Sequence, residues 1–301
     1  MEKNTFQNQS PLLFDRELLR LRRKRVKTLN WAHSRFLFDE VSNRLAERLL
    51  DIDRTFDKAL DLGCHTGAFG HQISTMGRAL GVIAADLSDD LMDKSQGYPL
   101  AFADEEYLPF APTSFDLIGS VLSLHWVNDL PGSLVQIFRC LKADGLFLGA
   151  MFGAETLTEL KDCLMTAELE LTGGVSPRVS PFVDVRDAGS LLQRAGFALP
   201  VTDSEILTLK YQNMFALMHE LRAMGETNAL VERPKTFSSR KLFMRAAEIY
   251  HEKYQDQDGL VPATFQIVYL AGWAPHESQQ KPLTRGSGVT SLKEVLGSKS
   301  D

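Results

Sequence analysis

Apolar residues recur three and four positions apart through the first fifty residues, at Leu18, Leu21, Phe36, Val41, Leu45 and Leu49. That spacing predicts helices between residues 11 and about 51. The texture then changes to short apolar runs bounded by Gly, Asp and Pro, over residues 59–62, 79–85, 115–124 and 146–152. Such runs predict buried strands. Segments of helical length separate them, at 67–76, 89–95 and 131–142, so strands and helices alternate as they must where helices cross between parallel strands. The pattern predicts an α/β fold, doubly wound around a mostly parallel sheet, whose ligand-binding crevice lies at the carboxyl ends of the strands.

Downstream, the pattern predicts helices over 155–171 and 185–195, the latter ended by Gly196, with a Gly/Ser/Pro loop between them. Met214, Leu217, Met218 and Leu221 mark another helix, residues 240–254 one more, and residues 263–273 a final strand. The expected organisation is a helical lead-in over 1–54, a core over 55–275 carrying a helical insertion at about 210–256, and a tail over 276–301. The tail is rich in Ser, Gly, Lys and Pro and has little apolar surface to bury.

Composition narrows the function. The chain has 301 residues, 44% hydrophobic and 24% charged, within the globular range. A formal net charge of −6 argues against a nucleic-acid partner, since phosphate contacts require a cationic surplus. The segment from Arg16 to Lys27, dense in Arg20, Arg22, Arg23, Lys24 and Arg25, reads as a solvated helix face, with an acidic partner as the alternative. Cys64, Cys140 and Cys163 form no C-x-x-C pair, which fits a reducing, cytoplasmic setting. No apolar run reaches the roughly 18–20 residues of a membrane span, and the opening residues lack the pattern of a targeting peptide. Self-association is not legible.

The chemistry concentrates in Ala59-Leu60-Asp61-Leu62-Gly63-Cys64-His65-Thr66-Gly67, a strand that runs through a Gly-containing turn into a helix. Gly63 and Gly67 permit close approach of a ligand, and Asp61 can accept from a ligand amine. The G-x-x-x-G spacing matches neither a dinucleotide fingerprint nor a phosphate-binding P-loop. Asp86 ends the second strand, where a carboxylate can clasp a ribose diol, and Asp104 with Glu105 follows a third short strand, placed to meet an adenine amino group. Helix capping is the alternative role of Asp86 and Asp104.

The register DLGCHTG, AADLS, FADEEYLPF, SFDLIGSVLSLHWVNDLP and LKADGLFLGAMFG resembles the Rossmann-like S-adenosylmethionine-dependent methyltransferases. FDR near the start, LSLHWVNDLP, GAMFG, GGVSPRVSPF, MGETNA, DGLVPATFQI and HESQQKPLTRGS extend the resemblance from Phe14 to about Ser287, to the mitochondrial complex I assembly factor 5 family and its bacterial relatives. The resemblance implies a seven-stranded methyltransferase-type sheet and S-adenosylmethionine as cofactor. It also implies that Asp61, Gly63 and Gly67 line the methionine end, Asp86 the ribose, and Asp104 with Glu105 the adenine side, with Cys64, His65, Leu87 and Val121 among the other cofactor-binding residues.

Where the family usually carries Gly, this chain has His65, and a side chain at that turn either crowds the cofactor or points to solvent over the crevice. The latter is expected, because His tolerates positive φ better than most residues. His125, just beyond the fourth strand, is the candidate general base, its alternative being a filler beside Trp126 in the lid over the cofactor. By resemblance, the partner is a complex I subunit and the reaction is hydroxylation of one of its arginines. No His is followed two residues later by Asp or Glu, so the local iron-ligand signature is absent and no metal site is expected. A methyltransferase acting on a small or carrier-bound acid, and a non-catalytic assembly chaperone, are the alternatives.

Overall fold

A computed structural model describes residues 12–26, 29, 31–88, 90–92, 97–280 and 287. Its helices are α1 (Arg16–Val26), α2 (Trp31–Ser34), α3 (Phe36–Glu47), α4 (Ala68–Thr75), α5 (Leu130–Cys140), α6 (Thr158–Thr172), α7 (Val185–Ala195), α8 (Met214–Met224) and α9 (Arg240–Tyr254). Its strands are β1 (Phe56–Leu62), β2 (Ala79–Asp86), β3 (Leu100–Phe102), β4 (Phe115–Val121), β5 (Leu141–Phe152), β6 (Ala198–Tyr211) and β7 (Val261–Trp273). They form one seven-stranded sheet in the order β3-β2-β1-β4-β5-β7-β6, with β7 antiparallel to both neighbours. This is the expected doubly wound, mostly parallel fold.

Every residue of β4 is buried, as helices on both faces of a parallel sheet require. One face packs under α3, α4, α6, α8 and α9 around Phe69, Leu117 and Phe265, and the other under α5 and α7 around Ile118, Phe147 and Leu192. Helix ends follow local chemistry. Asp129 caps α5 through the Gly132 amide at 2.9 Å, with Pro131 in the first turn, and Gly225, at φ 82°, closes α8.

Two expectations require correction. The strand expected over 115–124 stops at Val121, because Leu122 turns to φ 47° and Leu124–Trp126 form a short 3₁₀ turn. The sequence pattern also gives no strand at β6, which pairs with β7 along nearly its whole length. The helix expected over 89–95 falls partly, and the tail after 280 almost wholly, outside the described residues.

Sheet order reverses between β1 and β4, which neighbour each other while their crossovers run to opposite sides. The loops after β1, β2 and β4 therefore open into a common crevice. The N-terminal segment lies across it: Phe14, Leu19 of α1, Leu87, Trp126 and Leu230 form one small apolar cluster.

Candidate functional site

At the end of β1, Asp61 is buried and accepts from the Gly70 amide at 2.9 Å through Oδ2, while its Oδ1 has no partner. Burial, with Asp86 nearby, pushes its carboxyl up to about 7. Gly63 sits at φ 64°, and a Cβ there would collide with the Ser123 side chain, so this glycine serves close packing of the β1 turn against the β4 turn. Gly67, at φ 81°, opens α4. Cys64 is buried, and burial among Asp61 and Asp86 drives its thiol well above the ordinary range. Val121 is buried at the end of β4.

The turn after Gly63 is held by Asp86, whose Oδ2 accepts the His65 amide and whose Oδ1 accepts the Ser88 amide, both at 2.9 Å. His65 occupies φ 52°. The expectation that its ring points to solvent is overturned: the ring is buried, 4.6 Å from Phe38 and 6.2 Å from Trp31 between centroids, with Nε2 3.4 Å from the Leu122 carbonyl. Burial, then the nearby Arg23 cation, lowers its basicity.

Helix α1 supplies what sequence reasoning missed. Arg23, with a side chain only 3% exposed, donates to Asp86 at 3.1 Å, to Glu105 at 3.4 Å and to the Ser123 hydroxyl at 3.1 Å. Arg16 donates to Asp104 at 2.6 Å, to Glu105 and to the Trp126 carbonyl. Ser123 also donates to Glu105. Burial alone would raise the Glu105 carboxyl, yet Arg16 and Arg23 hold it down at about 2. The reading of this basic run as a solvated face therefore fails for Arg16 and Arg23. The signal was present in FDR, whose arginine is Arg16.

Beside the crevice lies an apolar cavity of about 270 Å³, lined among others by Trp126, Phe152, Leu160, Phe182, Met218 and Glu226. Glu226 accepts from the Trp126 indole at 3.0 Å and meets His125 Nε2 at 3.1 Å. His125 itself is buried behind that carboxylate, its ring 4.7 Å from Phe152, so the candidate base reaches the cavity through Glu226. Glu226 was singled out only within MGETNA. Among the described residues, no group of three or more His, Cys, Asp or Glu gathers as a metal cluster.

The set of acidic acceptors thus suits a nucleoside, since Asp61, Asp86, Asp104 and Glu105 lie at or just past the ends of the adjacent strands β1, β2 and β3. The space does not suit one with α1 docked: Asp86 already carries three donors, and Glu105 is saturated by two arginines and a hydroxyl.

Comparisons with known proteins bear on the assignment. Residues 60–149 match a methyltransferase domain family. The human mitochondrial arginine-hydroxylase NDUFAF5 is 44% identical over 94% of this chain and 83% of its own length, and the Danio rerio protein of the same name 42% over 94% and 89%. The malonyl-[acyl-carrier protein] O-methyltransferase of Gallionella capsiferriformans is 34% identical over 78% of this chain and 83% of its own. Among solved structures, a methyltransferase-like protein of Bacillus halodurans superposes with a TM-score of 0.55 at 14% identity, covering 78% of this chain and 99% of that one. The YcgJ protein of Bacillus subtilis gives 0.54 at 15%, covering 77% and 98%. With that identity sustained over nearly all of the sequence, the chain belongs to the complex I assembly factor 5 (arginine-hydroxylase NDUFAF5) family, enzymes built on the Rossmann-like methyltransferase fold.

Proposed function

We propose that this protein binds S-adenosylmethionine in the crevice at the ends of β1, β2 and β4 and modifies an arginine of a respiratory complex I subunit during assembly, the modification being hydroxylation with dioxygen as the oxygen donor, one oxygen atom entering a C–H bond and the other leaving as water with two electrons from an external reductant. The observation that carries the arginine reading is Glu226, whose side chain is 7% exposed and lines a cavity with largely aromatic and aliphatic walls. An arginine side chain needs that combination: apolar walls for its methylene stem and an acceptor for its guanidinium fork. Trp126 and His125 engage Glu226 from one side, fixing its orientation and leaving acceptor capacity toward the cavity. His125 acts through Glu226 as a positioning residue. The relatives' name, arginine-hydroxylase, supports the same substrate class.

The test is mass spectrometry of complex I subunits from a strain lacking this protein, complemented with wild type or Glu226→Gln. The expected result is an arginine that loses the mass of one oxygen in the deletion strain, regains it with wild type and regains at most about a tenth of it with the variant. An arginine unchanged by deletion overturns the reading. A second reading, methyl transfer to a malonyl carrier protein, draws on the 34% identical relatives and on Arg22, a cavity-lining cation suited to a carboxylate. Methyl transfer from S-adenosylmethionine to that carrier by the purified protein, abolished by Arg22→Ala, would establish it instead.

A further inference from the structure

The acid-lined crevice already holds two cations, and both come from this chain. Arg23 reaches Asp86 and Glu105 from within α1, and Arg16, two turns earlier on the same helix, reaches Asp104 and Glu105. These are the carboxylates that stand where a ribose diol and an adenine amino group would bind. A third arginine of α1, Arg22, lines the neighbouring cavity and donates to the Thr227 carbonyl. Arg22 is paired less completely: burial and the nearby Arg233 lower its basicity to about 10. One helix therefore fills the crevice and furnishes a wall of the cavity.

We propose that α1 is an internal ligand of the crevice, and that Arg16 and Arg23 occupy its carboxylates in alternation with an adenosine-bearing cofactor. The inference rests on the reading that the crevice binds S-adenosylmethionine, and adds that loading requires α1 to leave. Two physical arguments support exchange over a permanent seal. The Asp86 oxygens are committed to the His65 and Ser88 amides as well as to Arg23, so a ribose diol must take the position of the guanidinium. Buried ion pairs roughly break even against their desolvation, so a ligand that offers equivalent hydrogen bonds can replace them. Release of α1 must also break its other anchors: Leu19 and Phe14 against Trp126, Asn128 on the backbone of Leu13 and Phe14, the Phe14–Leu230 bridge, the Asp15–Arg233 ion pair at 3.2 Å, and Val26 in the main core. Departure of the helix would also carry Arg22 out of the cavity and remove a like charge from the path of an arginine substrate.

The experiment combines two measurements on the full chain with S-adenosylhomocysteine as probe. Amide exchange of residues 16–26 in the wild-type protein is expected to accelerate when the probe saturates it. By calorimetry, Arg16→Gln with Arg23→Gln is expected to bind the probe about tenfold or more tightly than wild type, because the docked state no longer competes. Exchange that slows on binding, with α1 closing over the ligand, overturns the proposal and leaves the cofactor reading standing. Equal or weaker binding by the folded double variant does the same. If neither protein binds the probe, the cofactor reading falls and the exchange with it. Should the double variant fail to fold, exchange in the wild-type chain still decides.

Discussion

Asp61 and Asp86 end neighbouring strands, yet their surroundings give them different chemistry. Asp86 is ringed by donors, whereas Asp61 has one amide at Oδ2 and nothing at Oδ1. Its carboxyl therefore stands at about 7 against the ordinary 3.8, burial being the main cause. Raised above its unfolded value, this group contributes stability that is fully present below about pH 4 and is lost as pH rises through about 7. Wild-type protein should lose on the order of 2–3 kcal/mol of this contribution between about pH 5 and pH 8. Asp61→Asn, which keeps the acceptor for Gly70, should flatten that dependence in thermal melts across the range. A variant with the wild-type slope would show that Asp61 is ionised throughout. His65 marks the limit of reasoning from residue type alone. Its tolerance of positive φ was legible and correct, but the burial of its ring depends on Phe38 and Trp31, brought there by a separate part of the chain.

At the scale of elements, strong periodicity was the reliable guide: α7 and α9 occupy the residues their spacing predicts, and β1, β2, β5 and β7 lie where the apolar runs do. β6 was illegible because its sequence, ALPVTDSEILTLKY, alternates half-buried with exposed positions and carries Pro and Asp. Its strand state comes from pairing with β7, more than fifty residues away in sequence. The placement of α1 is likewise non-local. Asn128, beyond β4, accepts the Leu13 and Phe14 amides at 2.8 and 2.7 Å and donates to the Phe14 carbonyl, tying the N-terminal segment down. Asn128→Ala should weaken that docking by about 1–3 kcal/mol, since two backbone donors lose their acceptor. Amide exchange over residues 13–26 should accelerate by at least fivefold while the β4 amides hold their rates. Uniform acceleration across the sheet would mean that α1 and the core open together.

The whole molecule carries one further pH signature, opposite in sign to that of Asp61. Glu105 is depressed to about 2 by Arg16 and Arg23 against burial, so its contribution is present above the ordinary 4.5 and is lost as pH falls through about 2. Unfolding by urea should therefore require on the order of 3 kcal/mol less free energy near pH 2 than near pH 5 through this group. Glu105→Gln should remove that part of the acid slope and lower stability at neutral pH; an unchanged slope would place the acid sensitivity elsewhere. The α/β class, the alternation of strand and helix, and the acidic residues at successive strand ends were fixed by the sequence itself, because periodicity and turn chemistry act between near neighbours. The partners of those acids were decided only by tertiary structure. Whether Asp86 and Glu105 face open space or a guanidinium depends on where α1 packs, and a basic helix solvated on its own becomes buried once carboxylates from two strand ends converge to neutralise it.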